Sequence, residues 1–315
     1  MSEAPFPVEP ARRRRPRLGY AMAASAALLW GVNGAVSKTI LSTGLSSERL
    51  AQVRSLGAAL GLLAILAVVA PTRLRLTRRE LPYVVVFGVA GLAFVQFFYF
   101  LAIHRLTIGV ALLIEYLAPL LVALWARFYY REHVRRRVWA ALALALAGLA
   151  LIVNVFGGGA SISTAGVLFA LGGAFAYATY VLLAEHVVGG RDPVSLLFWG
   201  FLFGSIFWAI LVPWWSFPAH RLTASTPLHG HLHAWHLPVW VLAAWMIVLG
   251  TIVPFFLIVS ALRHLPATRV GIVAMLEPVV GALVGWLWLA ESLGGVQLAG
   301  AAVVLAAIGL AQTAR

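Results

Sequence analysis

Two glutamates, Glu115 and Glu277, interrupt long apolar stretches of the sequence. A carboxylate inside a membrane-spanning helix is costly to bury, so such residues usually belong to a substrate, ion or proton site. Each glutamate lies within four residues of a proline, Pro119 or Pro278, and near mid-depth of its apolar stretch. These residue types predict a site for a proton or for the ammonium group of a substrate. The alternative is that each carboxyl group bonds to a neighbouring helix and fixes its packing.

Further polar and aromatic residues lie within the apolar stretches. Arg54 is a candidate partner for a carboxylate or for an anionic substrate group. The alternative is that its long side chain reaches the outer membrane surface, beside Arg49. Amides inside such stretches often hydrogen-bond to neighbouring helices, whereas aromatic residues can line a cavity. The remaining candidates for a substrate-binding or coupling site are Asn33, Gln96, Tyr99, Tyr116, Tyr177, Tyr180 and Trp30.

The segment HGHLHAWH places His229, His231, His233 and His236 in one loop. Imidazoles bind zinc or copper, but this segment has no acidic residue or cysteine nearby. We therefore expect a solvated loop and predict no metal site. The sequence also lacks the G-x-x-x-x-G-K-[ST] element that cradles nucleotide phosphates, and we predict no cofactor.

The composition identifies the elements that must position these residues. Of the 315 residues, 62% are hydrophobic and 10% are charged, and the mean hydropathy is +0.95. Soluble domains carry about 25% charged residues, so this chain is predicted to be an integral protein of the lipid bilayer. Its net charge of +13 comes largely from arginines in short loops. This distribution indicates membrane orientation rather than nucleic-acid binding.

Ten apolar stretches are each close to the ~20 residues that a helix needs to cross the hydrocarbon core. They are too long and too uniformly apolar for the alternating strands of a membrane barrel. The sequence thus predicts an all-α integral membrane protein with ten transmembrane helices. The predicted spans, numbered 1 to 10, are 18–41, 48–70, 81–103, 108–130, 137–156, 164–186, 194–215, 238–261, 268–290 and 294–313.

The arginines set the orientation of these spans. Seventeen of the 23 Lys and Arg residues fall on the same side as the N-terminus, and three fall on the opposite side. Because cytoplasmic loops are rich in positive residues, we predict a cell inner membrane protein with cytoplasmic N- and C-termini. Residues 1–17 are predicted to be a disordered basic cytoplasmic tail. A signal peptide is the alternative, but the following apolar run is longer than a signal core.

A segment of the first half is repeated in the second half, shifted by 159 positions. Pro119 then aligns with Pro278, and Glu132 with Glu291, which makes the two prolines candidate hinges. Because each half contains five spans, an odd number, the second half enters the membrane from the opposite side. The sequence thus predicts a 5+5 inverted repeat. The second half is longer by 12 residues, which fall in the outer loop 216–237. The predicted units are the first repeat 18–156, a linker 157–163 and the second repeat 164–313.

Two segments carry a resemblance to the paired EamA domains of the drug/metabolite transporter superfamily. They are LTIGVALLIEYLAPLLVALWARFYYRE and LRHLPATRVGIVAMLEPVVGALVGWLWLAES, and the second contains Glu277-Pro278 and Glu291. The opening LLWGVNGAVSK is also similar to the first span of that family, and the resemblance covers about residues 18–313. It implies ten helices, an inverted repeat, a central substrate cavity and secondary transport, often export of amino acids or other metabolites. The His-rich loop departs from the short connection usual in that family.

These observations predict a secondary transporter, not an enzyme, that exports a small metabolite such as an amino acid by alternating access around a mid-membrane site. The predicted partners are a small-molecule substrate, protons as the candidate coupling ion, and no nucleic acid. One alternative is a membrane enzyme acting on a lipid-linked substrate, which needs a polar constellation at a membrane face that the sequence does not reveal. The other is a sensor or structural membrane protein.

Overall fold

The computed structural model describes residues 15–106, 108–153, 163–188 and 190–313. Residues 1–14 of the predicted basic tail and residues 157–162 of the predicted linker therefore lie outside the described residues. The first helix begins at Pro16, two residues earlier than the sequence predicts, because proline is well suited to the first turn of a helix.

Helices dominate the described residues, as the composition predicts. Fifteen are α-helical, and they are α1 (Pro16–Leu41), α2 (Ser47–Val69), α3 (Leu81–Val86), α4 (Phe94–Ile103), α5 (Ile108–Glu115), α6 (Ala118–Phe128), α7 (Arg136–Ile152), α8 (Thr164–Val187), α9 (Pro193–Leu211), α10 (His220–Thr223), α11 (Val239–Ile247), α12 (Val253–Ala261), α13 (Ala267–Ala274), α14 (Leu276–Leu287) and α15 (Gly295–Thr313). Two strands, β1 (Ser225–Pro227) and β2 (His236–Pro238), pair antiparallel.

Eight helical stretches within the described residues are long and apolar enough to cross a membrane. They are Ser47–Val69, Leu81–Ile103, Val110–Phe128, Thr164–Val187, Pro193–Leu211, Val239–Ala261, Ala267–Leu287 and Gly295–Thr313. A multi-pass helical membrane protein is thus confirmed. The other two predicted spans correspond to α1, with 26 residues, and α7, with 17 residues, and their crossing of the membrane stays a prediction.

Spans 4 and 9, which contain the candidate hinge prolines, are each broken into two helices. The ring of a proline clashes with the carbonyl group four residues before it and supplies no N–H group to bond it. Four residues before Pro119 is Glu115, where α5 ends, and four residues before Pro278 is Ala274, where α13 ends. Both breaks therefore have the same chemical cause, and they lie at matched places in the repeat.

Spans 3 and 8 each contain a π-helical segment, which the sequence analysis does not predict. The first π segment, Phe87–Ala93, joins α3 to α4, and the second π segment, Val248–Ile252, joins α11 to α12. Their ends, residues 93 and 252, are related by the same shift of 159 positions that defines the repeat. Such segments are frequent at functional sites.

The helices pack in pairs that the repeat relates to one another. Helix α1 contacts α12, α13 and α14 of the second half, and α8 contacts α4, α5 and α6 of the first half. Glycines allow the close approach: a Cβ atom on Gly19 would lie 2.7 Å from Leu265 Cγ, and one on Gly166 would lie 2.7 Å from Leu106 Cγ. The pairs α2 with α9 and α7 with α15 join corresponding helices of the two halves.

The long loop 216–237 is folded, which corrects two expectations. Helix α9 ends at Leu211 rather than at residue 215, because Pro213 follows with extended backbone. The strands β1 and β2 make the fold not strictly all-α, because this loop is long enough to pair with itself. Contacts also tie the loop to the spans: Arg221 donates to the carbonyl of Thr43, and Trp288 Nε1 donates to Leu228 O at 2.7 Å.

Candidate functional site

The two glutamates lie at the two helix breaks. Glu115 is the last residue of α5, and Glu277 is in the first turn of α14. The hydroxyl group of Tyr116, in the break of span 4, donates a hydrogen bond of 2.8 Å to Glu277 Oε2. This bond connects the break of one half directly to the break of the other half, across 161 residues of sequence.

Arg54 extends from α2 to the second π segment rather than to the outer membrane surface. Its Nε donates to Thr251 Oγ1 at 2.7 Å, and its Nη2 donates to Gly250 O at 3.3 Å. The Gly250 carbonyl lies four residues before Pro254, which has no N–H group to bond it, so it remains available as an acceptor. The guanidinium also lies over the Phe255 ring, 5.8 Å from its centroid.

Three ionisable groups share one electrostatic neighbourhood. The charge of Glu277 acts on both Arg54 and Glu115. Gly173 of α8 leaves room beside Glu115, because a Cβ atom there would lie 3.6 Å from Glu115 Oε2. A cation near one carboxyl group, with a second carboxyl group near the first, can bind both ends of a zwitterion, or can hold one carboxylate charged while the other exchanges a proton.

Aromatic side chains surround these groups. The rings of Tyr177 and Tyr180 are stacked with their centroids 5.9 Å apart, and Trp30 meets the Phe255 ring edge-on at 5.1 Å. The Tyr180 ring also meets the Phe255 ring, at 5.5 Å. Tyr99 and Tyr177 both lie within electrostatic reach of the two glutamates. The structure therefore brings all five predicted aromatic residues, Tyr116 among them, to one region of the bundle.

Three of the predicted residues carry buried polar atoms that have no hydrogen-bond partner among the described residues. They are Trp30 Nε1, Asn33 Oδ1 and Tyr180 Oη. Buried polar atoms are nearly always bonded, so unpartnered ones are candidates to contact a ligand or water. Asn33 packs directly against Gly250. Gln96 is half-buried on α4 and makes no hydrogen bond to another described residue, so no described contact joins it to the others.

Sequence reasoning does not identify Thr251, Gly250 or Phe255, although all three contact Arg54. The rule that proline frees a carbonyl four residues earlier could have indicated Gly250, because Pro254 is evident in the sequence. Thr251 and Phe255 carry no such signal. Their position depends on how α2 is rotated against span 8, which no local pattern specifies.

The loop histidines make contacts within the protein. His229 Nε2 lies 2.8 Å from Ser42 Oγ, and His233 Nδ1 lies 2.9 Å from Gly230 O. His236 Nδ1 lies 3.4 Å from Ala234 O. In the part of the chain that the structure describes, no group of three or more His, Cys, Asp or Glu residues is arranged to hold a metal ion. The absence of a metal remains a prediction.

Comparison with known proteins identifies the family of this chain. The model of the EamA-like transporter family matches residues 17–154 and again residues 164–313. The chain is 28% identical over 264 residues to the threonine/homoserine exporter RhtA of Escherichia coli K12 and to RhtA of Salmonella typhimurium SL1344. In both comparisons the match covers 84% of this chain and 82% of the relative.

Two further matches extend the comparison. An uncharacterized transporter of Bacillus subtilis strain 168, YdfC, is 25% identical over 253 residues, which cover 79% of this chain and 76% of the relative. A solved crystal structure superposes with a TM-score of 0.73 at 21% identity, covering 93% of this chain and 96% of that one. At that identity the superposition shows a shared fold alone.

Proposed function

Because this chain belongs to the EamA-like transporter family, we propose that it is a secondary transporter that exports an amino acid or a related small metabolite across the inner membrane. The observation that carries the proposal is the hydrogen bond from Tyr116 to Glu277, which joins the breaks of two discontinuous spans beside Arg54. Discontinuous helices that meet near the bilayer midplane are how many transporters build their substrate and ion sites.

The charges of the site suit a zwitterion. The guanidinium of Arg54 is suited to a substrate carboxylate, and Glu115 or Glu277 is suited to the ammonium group. The aromatic residues around them supply apolar surface for a small side chain. The RhtA relatives are threonine/homoserine exporters by name, and both of those compounds are zwitterions of this size.

The proposed architecture is the ten-helix inverted repeat, with halves 18–156 and 164–313. The relation between the contacts of α1 and those of α8 supports it, as do the paired breaks and paired π segments. In this scheme the halves rock about the central site, with Pro119 and Pro278 as hinges and both termini in the cytoplasm. The named relatives are transporters, which favours transport over a membrane enzyme acting on a lipid-linked substrate.

A proton is the proposed coupling ion. A carboxyl group that faces a closed, apolar site loses hydration when it is charged, so it tends to release its proton only where the site opens to water. With Arg54 beside one carboxylate, the other can load and release a proton during each cycle.

Purified protein in liposomes, loaded with threonine or homoserine and assayed for counterflow and for proton-driven transport, tests the proposal. Glu115→Gln and Glu277→Gln keep the shape of the side chain and remove its charge. We expect each to reduce driven transport at least about tenfold, equivalent to about 1.4 kcal/mol. Glu132→Gln, at an exposed position outside the site, is the matched control and should transport normally.

The pattern of losses assigns the roles. A variant that keeps counterflow but loses pH dependence identifies the proton carrier, whereas one that loses counterflow as well identifies a substrate ligand. Normal transport with an unchanged pH profile in both variants would show that the glutamates are packing residues. That result would remove the basis of the proposed site.

A further inference from the structure

A second candidate site, which shares no residue with the central one, lies where α1 and α13 begin and α15 ends. A cavity of about 520 Å³ is lined by Arg15, Pro16, Arg17, Tyr20, Arg269 and Gln312. The first four residues belong to the start of α1 or immediately precede it, Arg269 lies in the first turn of α13, and Gln312 lies near the end of α15. Arg15, Pro16 and Arg17 are exposed, so the cavity opens to the protein surface.

The cavity collects positive charge. Among the residues that the structure describes, its wall carries three arginines and no acidic residue. The side chains of Arg15 and Arg17 make no hydrogen bond or ion pair to any other residue that the structure describes. Glu185 supplies a negative charge nearby, and its Oε1 accepts a hydrogen bond from the backbone N–H of Ala267 at 2.8 Å.

Two groups at the cavity have unusual surroundings: His264 is affected by the positive charge, and the Tyr20 hydroxyl lacks a hydrogen-bond partner among the described residues. Burial lowers the pKa of His264, and the positive charges of Arg15 and Arg263 lower it further. The backbone of Gly19 brings α1 against His264, so this imidazole lies beside the cavity wall. The hydroxyl group of Tyr20, a lining residue, is buried and has no hydrogen-bond partner among the described residues.

We propose that this cavity binds a phosphate group, presented either by an anionic lipid of the adjacent leaflet or by a free phosphate compound. Arginine guanidinium groups pair with phosphate oxygens in two-point contacts, and the Tyr20 hydroxyl and the Gln312 amide add neutral donors. Basic pockets at helix ends on the cytoplasmic face suit the headgroups of anionic lipids. The inference goes beyond the proposed transport activity and uses none of its site residues.

Phosphate bound in this cavity can affect the central site through α13. Arg269 lies in α13, the short helix whose end leads through Met275 directly to Glu277. A phosphate held between α1 and α13 would fix the start of that helix against the first span. The phosphate is therefore expected to stabilise the packing of α1 against α13 as well as to bind.

The test compares two double variants of the full-length protein with equal loss of charge. Arg15→Gln with Arg17→Gln removes two cavity arginines, and Arg135→Gln with Arg136→Gln removes two exposed arginines that do not line the cavity. Binding of dioleoyl phosphatidylglycerol and dioleoyl phosphatidylcholine is measured by lipid titration in detergent with native mass spectrometry. We expect the wild-type protein and the control to prefer phosphatidylglycerol at least about tenfold, and the cavity variant to lose this preference.

A competition experiment separates the two sources of phosphate. If 10 mM inorganic phosphate displaces phosphatidylglycerol from the wild-type protein but not from the cavity variant, the site accepts free phosphate; if it displaces none, the site is specific for lipid. Arg269→Gln provides a second variant should the double substitution impair folding. A cavity variant that keeps the full preference for phosphatidylglycerol, or a wild-type protein that has none and is not stabilised by phosphate, would overturn the proposal.

Discussion

The seam between α7 and α15 offers a sharp test of the packing, because two glycines meet there backbone to backbone. A Cβ atom on Gly300 would lie 2.6 Å from Gly148 O and 2.7 Å from Ile152 N. Real Cβ atoms stay beyond about 3 Å from such atoms, so the Gly300→Ala change must push the two helices apart. A backbone cannot move aside as a flexible side chain can.

The magnitude follows from a matched control on the same helix. A Cβ atom on Gly309 would meet nothing within 4 Å, and Gly→Ala in a helix interior gains about 0.5–1 kcal/mol at either position. The difference between the two variants therefore isolates the contact. Overpacking of this kind costs about 1–3 kcal/mol, so Gly300→Ala should be less stable than Gly309→Ala by that amount.

The assay is reversible unfolding of both variants in mixed micelles, followed by circular dichroism, with the wild-type protein alongside. Gly309→Ala should unfold at the same or a slightly higher denaturant concentration than the wild-type protein, and Gly300→Ala at a lower one. Equal stability of the two alanine variants would show that α7 and α15 do not meet closely at this point, and the reasoning about the seam would be wrong.

Three further predictions concern the candidate site, a buried ion pair and the membrane orientation. Tyr116→Phe removes the donor to Glu277 and should weaken substrate counterflow by about 1.5–3 kcal/mol of lost interaction, with the fold intact by circular dichroism. Glu80 forms a buried ion pair with Arg191 at 2.9 Å; burial alone would raise the pKa of Glu80, but hydrogen bonds from Thr77 and the charge of Arg191 outweigh it and leave the pKa below 4.5. The pair should therefore stabilise the protein above the ordinary pKa of a glutamate and lose its effect as the pH falls through the lower folded-state pKa. Glu80→Gln should lower the unfolding free energy by about 1.5–3 kcal/mol at pH 7, and by progressively less as the pH falls through that folded-state pKa. A reporter fused to the C-terminus should be active in the cytoplasm, and an external signal would contradict the ten-span orientation.

The sequence predicts those features that depend on local chemistry. Apolar length locates the helices to within a few residues, and Pro119 and Pro278 indicate where spans 4 and 9 are broken. The same residue types mark Glu115 and Glu277 as unusual, although their roles remain a proposal. Each of these inferences uses a property that a residue keeps whatever its neighbours are.

Contacts between spans depend on information that is not local. The bond from Tyr116 to Glu277 and the bonds of Arg54 require two helices to have one particular rotation about their axes. That rotation is set by close contacts such as Gly19 against Leu265, which involve residues far apart in the sequence. The cavity at the start of α1 could not be predicted from the sequence for the same reason, because its arginines come from distant parts of the chain.

Under the proposed alternating-access mechanism, the folded loop 216–237 affects the energy balance between the two facing states of the transporter. Lys38 forms an ion pair with Glu291, and Arg221 and His229 add contacts from the loop to the end of α1. The 12 extra residues of the second half lie in this loop, and the first half has no equivalent of them. The contacts of the loop therefore have no symmetry-related copy in the first half. Each 1.4 kcal/mol of such asymmetry changes a population ratio about tenfold. The resting population should therefore favour the state closed on the side of the loop, and a substrate leaving on that side must first offset this bias.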